Sequence, residues 1–306
     1  MATASFQSIL ESKLVQFVIG PEKKEFLVHE YAVSSLSKPL DRLLNGQMKE
    51  ATEGRVVWDD MDEAAFVRFI QWAYSGSYTD PEPVIFTDSS VIATSTAEDG
   101  KVAKNATATA GAGSSVTIAL EEDAESVVSF VHRPSCSLCY PTVPIYPSSR
   151  RPKCEKCPDP RKKRQMVNGF ISSSLYACST HSSPPRQNKK YDENYALVFL
   201  AHARLYVMAD KYDLPQLSEL ALHKLWATLK IFTPYPSRLG DIVCMITYAF
   251  HSFSESAEGD KMCDMLVHYS GCIYENLTAN DGFKTLVEEY PLFTHGLMKK
   301  IAERLS

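Results

Sequence analysis

Four cysteines form the pattern with the clearest chemistry in this chain. Cys136 and Cys139 are followed by Cys154 and Cys157, which gives the spacing C-x2-C-x14-C-x2-C. A C-x2-C turn brings two thiolates within reach of one ion, and two such turns can hold Zn²⁺ tetrahedrally. The spacing therefore predicts a zinc site. The alternative is four unconnected cysteines in a segment that is too short to bury a core.

Other cysteines and histidines are weaker candidates for metal binding. Three of them could replace a ligand, but we expect each to be a bystander: Cys178, His132 and His181. Three further cysteines lie in apolar helical patterns and are predicted to be small core residues: Cys244, Cys263 and Cys272. Small apolar behaviour is common for a free cysteine.

A basic cluster follows the cysteine array. Residues 150–164 contain eight Lys and Arg and two acidic residues, so their net charge is 8 − 2 = +6. This cluster predicts contact with phosphate groups or a nuclear import signal, the latter at Arg161, Lys162, Lys163 and Arg164. The alternative is a solvated charge run that keeps a loop soluble.

The composition is that of an ordinary soluble protein. The chain has 306 residues, of which 44% are hydrophobic and 23% charged, and its net charge is −5. It contains no apolar run of about 20 residues, and its first residues lack the features of a signal peptide. We therefore expect a cytoplasmic or nuclear protein without a membrane partner, in which cysteines stay reduced. No phosphate loop or nucleophile elbow is visible, so no enzymatic activity is expected.

Residues 26–78 have the strongest local structure signals. They predict the order strand, helix, helix, strand, helix, with Leu14–Ile19 and the residues before His29 forming a hairpin. Ser37 and Asp62 are predicted helix N-caps, and Gly46 and Gly76 are predicted to close helices.

The composition changes between residues 81 and 190. This segment is predicted to be a largely disordered insertion with a zinc-binding part at residues 132–160. Helical periodicity resumes in residues 191–232, where two apolar stripes are predicted: Leu197, Leu200, Ala201, Leu205 and Met208, then Leu217, Leu220, Ala221, Leu225 and Leu229. Residues 233–306 predict three or four more helices.

Several of these elements together resemble the BTB/POZ domain. The resemblance depends on His29 after a strand, Ser37 opening a helix, the segment Trp72-Ala73-Tyr74-Ser75-Gly76 and the segment Ala209-Asp210-Lys211-Tyr212. The chain is most similar to the BTB proteins of filamentous fungi, which commonly have a helical C-terminal region. The implied fold is α+β, a small sheet packed with helices. Residues 10–80 are its first part and residues 191–232 complete it.

The resemblance also implies functional residues. The family usually has a charged pair in a groove at its dimer interface, and the corresponding positions here are Lys13 and Glu30, with the signs exchanged. These residues are alternatively solvated surface charges. Met48 and Glu50 fall where adapters that bind cullin scaffolds often carry a contact motif. His29 is expected to be a buried, hydrogen-bonded structural residue.

The function implied by the resemblance is protein–protein interaction. We expect an adapter or scaffold that forms homodimers or BTB heterodimers, with a cullin ubiquitin-ligase scaffold as a candidate partner. The alternative is a nuclear regulator of transcription or chromatin, in which the zinc and basic segments contact nucleic acid.

Overall fold

The computed structural model describes residues 6–85, 160–178, 184–254 and 256–305. Their strands are β1 (Leu14–Ile19), β2 (Lys24–His29), β3 (Arg55–Trp58), β4 (Val84–Ile85) and β5 (Glu193–Asn194). Their helices are α1 (Phe6–Glu11), α2 (Glu30–Ser34), α3 (Lys38–Asn45), α4 (Lys49–Glu53), α5 (Glu63–Ser75), α6 (Pro160–Ile171), α7 (Ala196–Lys211), α8 (Pro215–Ile231), α9 (Leu239–Ser252), α10 (Lys261–Cys272), α11 (Tyr274–Leu277), α12 (Asp281–Glu289) and α13 (Pro291–Leu305). The fold is mixed α+β and mostly helical.

The larger sheet has the strand order β2-β1-β3. Strands β1 and β2 pair antiparallel, which confirms the predicted hairpin, and β3 pairs parallel to β1. Side chains alternate between the two faces of a strand, so Val15, Phe17 and Ile19 point to the same side. All three are buried in the core. The sheet therefore has one face packed against helices.

Local capping explains where the helices of the first part begin and end. The Ser37 hydroxyl accepts a hydrogen bond from the Leu40 amide, and the Asp62 carboxylate accepts one from the Ala65 amide at 3.0 Å. Gly76 has a φ of 75°, a left-handed conformation that glycine adopts without strain. Gly46 ends α3 in an extended conformation instead. The predicted caps are confirmed, and the sequence between β2 and β3 forms three short helices rather than two.

Helices α7 and α8 pack against each other. The stripe predicted on α8 is confirmed, since all five of its residues are buried. The stripe predicted on α7 is wrong at Leu197, which is exposed. Because α5, α8 and α9 surround α7 on several sides, most of its surface is buried and no single stripe defines its inner face.

The end of the predicted insertion differs from the prediction. Helix α6 packs against α10 and α13, and Val167, Phe170 and Tyr176 belong to the same core as the sheet. The Trp226 side-chain N–H donates to the Phe170 carbonyl at 2.9 Å. Residues 160–178 are therefore part of the folded unit, while residues 86–159 lie outside the described part of the chain.

An ion cluster connects α6 to the C-terminal helices. The Glu275 carboxylate binds Lys163 of α6 at 2.8 Å and also the guanidinium of Arg304, which is buried. Burial alone would raise the pKa of Glu275, but hydrogen bonds from Arg304 and Lys163 lower it to about 2.

This cluster predicts acid sensitivity. Because the pKa of Glu275 is lower in the folded chain than in the unfolded chain, its contribution is present above its ordinary value of 4.5 and is lost as the pH falls towards about 2. Since half of the carboxylate side chain is exposed, we expect roughly 1 kcal/mol. Urea unfolding should show that Glu275→Gln is less stable than wild type at pH 7. The difference should shrink at pH 3, and a constant difference would contradict this account.

The C-terminal region shares the core of the first part. Helix α9 packs against α7, and five helices follow α8 where three or four were predicted, because a four-residue helix, α11, separates α10 from α12. Cys263 and Cys272 are buried as predicted. The prediction for Cys244 is wrong, since it lies on the exposed side of α9. No helix among the described residues has both the length and the apolar character needed to cross a membrane.

Candidate functional site

Exposed apolar side chains cluster at the N-terminal end of the described chain. They come from α1, β1, β2 and the start of α2: Phe6, Leu10, Leu14, Leu27 and Tyr31. Phe6 is 60% exposed and Leu27 is 69% exposed. We call this set the N-terminal surface. Large exposed apolar side chains that lie close together are typical of interaction sites, so this set is a candidate.

The local structure accounts for the exposure of this surface. Helix α1 buries only Ile9, so Phe6 and Leu10 lie on its open side. Leu14 pairs with His29, and Gln16 pairs with Leu27. Because side chains two residues apart point to the same face, Leu14 and Leu27 are diagonal neighbours on the outer face of the hairpin.

Lys13 and Glu30 lie beside the N-terminal surface. The Glu30 backbone N–H donates to the Lys13 carbonyl at 2.8 Å, so the two residues are close. The Glu30 side chain is buried and accepts a hydrogen bond from the Asn45 amide, whereas Lys13 is exposed. Among the described residues these two side chains form no ion pair with each other. Their predicted role at a dimer interface stays a prediction.

His29 has the structural role that was expected. The Tyr74 hydroxyl lies 2.8 Å from His29 Nδ1 and 3.1 Å from the His29 backbone N–H. The hydroxyl oxygen accepts from the backbone N–H, which leaves its own proton for the ring nitrogen. His29 is half-buried rather than buried. This arrangement fixes the end of β2 to α5.

Met48 and Glu50 stand at the start of α4. Met48 is the N-cap residue and is exposed, and Glu50 is half-buried. The Glu50 carbonyl accepts from the amide of Gly54, which closes the helix in a left-handed conformation. In the predicted cullin contact the methionine is therefore accessible, whereas the glutamate is only partly accessible.

Helix α6 holds the basic residues predicted as a nuclear import signal. Arg161, Lys162 and Arg164 are exposed in its first turns, and Lys163 is bound to Glu275. Only part of the predicted signal is therefore accessible on the folded helix.

The predicted zinc ligands fall outside the described residues. These are Cys136, Cys139, Cys154 and Cys157, and the same is true of two of the substitute ligands, His132 and His181. Cys178 is half-buried, and its backbone N–H lies 3.2 Å from His223 Nδ1. Within the described ranges no group of three or more His, Cys, Asp or Glu residues could hold a metal ion. The zinc site stays a prediction.

A cleft of about 370 Å³ lies where the two parts of the chain meet. One wall is formed by the last turns of α5 and the residues that follow it, up to Pro83. The rest of the lining comes from residues 184–186, Tyr195 and parts of α7 and α8. Four prolines stiffen its rim: Pro81, Pro83, Pro184 and Pro185. The cleft has a size typical of small-molecule sites.

A buried lysine forms the floor of this cleft. The Lys224 side chain is only 4% exposed, and its ammonium lies 2.6 Å from a carboxylate oxygen of Asp80. The same ammonium lies 4.8 Å from the centre of the Tyr78 ring, within cation–π distance. The Asp80 side chain is 26% exposed. The floor is thus a neutralised charge pair next to an aromatic face.

A second polar contact lies behind the floor. The Tyr78 hydroxyl is 2.9 Å from His202 Nδ1, and both side chains are buried. Burial lowers the pKa of His202 to about 4, although the Asp80 carboxylate opposes this shift. Burial also raises the pKa of Tyr78 well above its ordinary value. Both groups are therefore neutral at pH 7 and hold residues 77–80 against α7.

The sequence carries no signal for this cleft. Lys224 and Asp80 are separated by 144 positions, and no motif surrounds either one.

Comparisons of the chain with models of protein families, with curated proteins and with solved structures found no match.

Proposed function

We propose that this chain is a BTB/POZ-type adapter or scaffold that self-associates through its N-terminal surface. The observation that carries the proposal is the exposed apolar set on α1, the β1–β2 hairpin and α2. The order of elements from β1 to α5, followed by the α7–α8 pair, supports the resemblance as well. The role is binding rather than catalysis, in the cytoplasm or the nucleus.

Burial of this surface provides the driving force. Each large apolar side chain moved from water into an interface contributes roughly 1.5–3 kcal/mol before the cost of association is counted. Phe6 and Leu10 are the best anchors, because both stand on a helix that contributes only Ile9 to the core. A second copy of the chain presents the same apolar set, so the contact can be two-fold symmetric.

Charge introduced at these anchors tests the proposal. We expect Phe6→Glu combined with Leu10→Glu to convert a dimer to a monomer in sedimentation equilibrium, because carboxylates cannot be buried unpaired in an apolar interface. Met298→Glu is the matched control, since Met298 is similarly exposed on α13, outside the N-terminal surface.

Met298→Glu should unfold in urea at the wild-type midpoint, because Met298 is exposed and outside the N-terminal surface. The double variant should still unfold cooperatively, at a midpoint lowered only by the stabilisation that association gives the wild type. An unchanged molar mass for the double variant would contradict the role of α1. A loss of association in the control as well would show that the effect is not specific to this surface.

The finer part of the proposal is the partner. A role as substrate adapter for a cullin-type ubiquitin ligase is supported by the exposure of Met48 at the start of α4. A heterodimer with another BTB protein would use the same N-terminal surface. Titration of the chain and of Met48→Asp with a purified cullin scaffold tests the cullin contact.

A second function is favoured by the position of the basic residues. Arg161, Lys162 and Arg164 occupy the first turns of α6, where the helix dipole disfavours cations. Exposed cations that lie close together on one helix can contact phosphate groups, which supports binding to nucleic acid or chromatin. Measured zinc content and the salt dependence of DNA binding test this nuclear alternative together with the zinc proposal.

A further inference from the structure

The floor of the cleft has both hydrogen-bond donors and a hydrogen-bond acceptor that are not used within the described part of the chain. An ammonium group has three donors, and among the described residues Lys224 Nζ uses one, to Asp80 Oδ1. The other carboxylate oxygen of Asp80 makes no hydrogen bond within the same part of the chain. A buried polar group with spare capacity is costly unless a partner completes it. The free donors of Lys224 and the free acceptor of Asp80 lie side by side, because the two side chains are hydrogen-bonded to each other.

Charged residues of both signs also lie at the rim of the cleft. Glu82 is exposed beside Asp80 and forms no ion pair among the described residues, while Arg186 lies across the cleft and binds the buried Glu193. Because Arg186 is paired with Glu193, the charges left at the cleft are those of Lys224, Asp80 and Glu82. A ligand with a carboxylate for the spare donors of Lys224 and an ammonium for Asp80 and Glu82 would match each of them.

The walls suit a small ligand with an apolar part. The rings of Tyr78 and Tyr195 and the side chain of Val198 line the cleft, and all three are buried. These residues are held by core contacts, so the cleft is formed before any ligand binds. We propose that the cleft binds the zwitterionic head group of a free α-amino acid, its carboxylate towards Lys224 and its ammonium towards Asp80 and Glu82.

Calorimetric titration of the full chain with each of the twenty common amino acids tests this proposal. At least one should bind in the micromolar to millimolar range. Its N-acetyl derivative lacks the ammonium, and its amide lacks the carboxylate. Each derivative should bind more than about tenfold more weakly, because each loses a charge-assisted hydrogen bond.

Variants locate the binding in the cleft. Lys224→Met should abolish binding, and Glu82→Gln should weaken it about threefold, since this carboxylate is at the exposed rim. Glu82 is exposed and forms no hydrogen bond or ion pair among the described residues, so its variant remains informative if Lys224→Met unfolds. Glu22→Gln, an exposed carboxylate outside the cleft, is the control and should bind like wild type.

Three results would overturn the proposal: no binding of any of the twenty amino acids, equal binding of the two derivatives, or wild-type affinity in Glu82→Gln. None of these outcomes bears on self-association through the N-terminal surface, which is tested separately.

Discussion

Phe170→Ala is expected to lower the free energy of unfolding by about 3–5 kcal/mol. Phe170 lies in a stretch whose composition predicts disorder, yet its ring is 1% exposed and contacts the rings of Tyr176, His268 and Tyr269. Truncation leaves a cavity among residues that come from distant parts of the chain, and such a cavity cannot close without moving α10.

Urea unfolding of the full chain measures this effect, with Leu175→Ala as the control. Leu175 is five residues away and 78% exposed, so its truncation should change stability by less than about 0.5 kcal/mol. If both variants unfold at the wild-type midpoint, α6 does not belong to the core. If both are strongly destabilised, the difference in burial does not explain the result.

Asp80→Ala should destabilise the chain much more than Lys224→Met, although the two substitutions break the same ion pair. Removal of Asp80 leaves the Lys224 ammonium without a counter-ion at a site that is 4% exposed, and an uncompensated buried charge costs about 3–5 kcal/mol. Removal of the Lys224 charge leaves a carboxylate that is 26% exposed, which water can solvate. Methionine also fills most of the space of the lysine side chain.

The double variant separates a charge effect from loss of packing. Asp80→Ala combined with Lys224→Met should be more stable than Asp80→Ala alone, because no buried charge remains. Equilibrium unfolding of all four chains gives the coupling energy. Equal losses for the two single variants, or a double variant whose loss is the sum of both, would contradict the buried charge pair.

The elements that the sequence predicts well are those with local signals. The caps at Ser37 and Asp62 and the left-handed Gly76 each depend on side chains within a few residues, so the pattern is complete in the sequence. The β1–β2 hairpin is similar, because its turn lies between two short apolar runs. These signals predict the order of elements from residue 14 to residue 76, except that three helices form between β2 and β3 where two were predicted.

Helix α6 could not be predicted in this way. Its first turns carry four cations and no acidic residue, and Gly169 interrupts its end. Local propensity therefore argues against a helix here. The stability of α6 must come from packing of Val167 and Phe170 on α10 and α13. The predictions that Leu197 and Cys244 are buried are wrong for the opposite reason. Apolar residues on well-packed helices can still face solvent.

The candidate sites depend on contacts that the sequence does not order. Tyr78 and His202 are 124 positions apart, and neither lies in a recognisable motif. The N-terminal surface was missed because α1 is a single short helix, in which periodicity cannot separate the one buried residue, Ile9, from the exposed Phe6 and Leu10. Its assignment as an interaction surface depends on exposure, which only the folded chain provides.

Self-association through the N-terminal surface is the central claim, and sedimentation equilibrium of the full chain over a range of concentrations tests it most directly. The account predicts a molar mass of twice 34.2 kDa that returns to 34.2 kDa in the Phe6→Glu, Leu10→Glu variant. A wild-type chain that stays at 34.2 kDa at every concentration would contradict it.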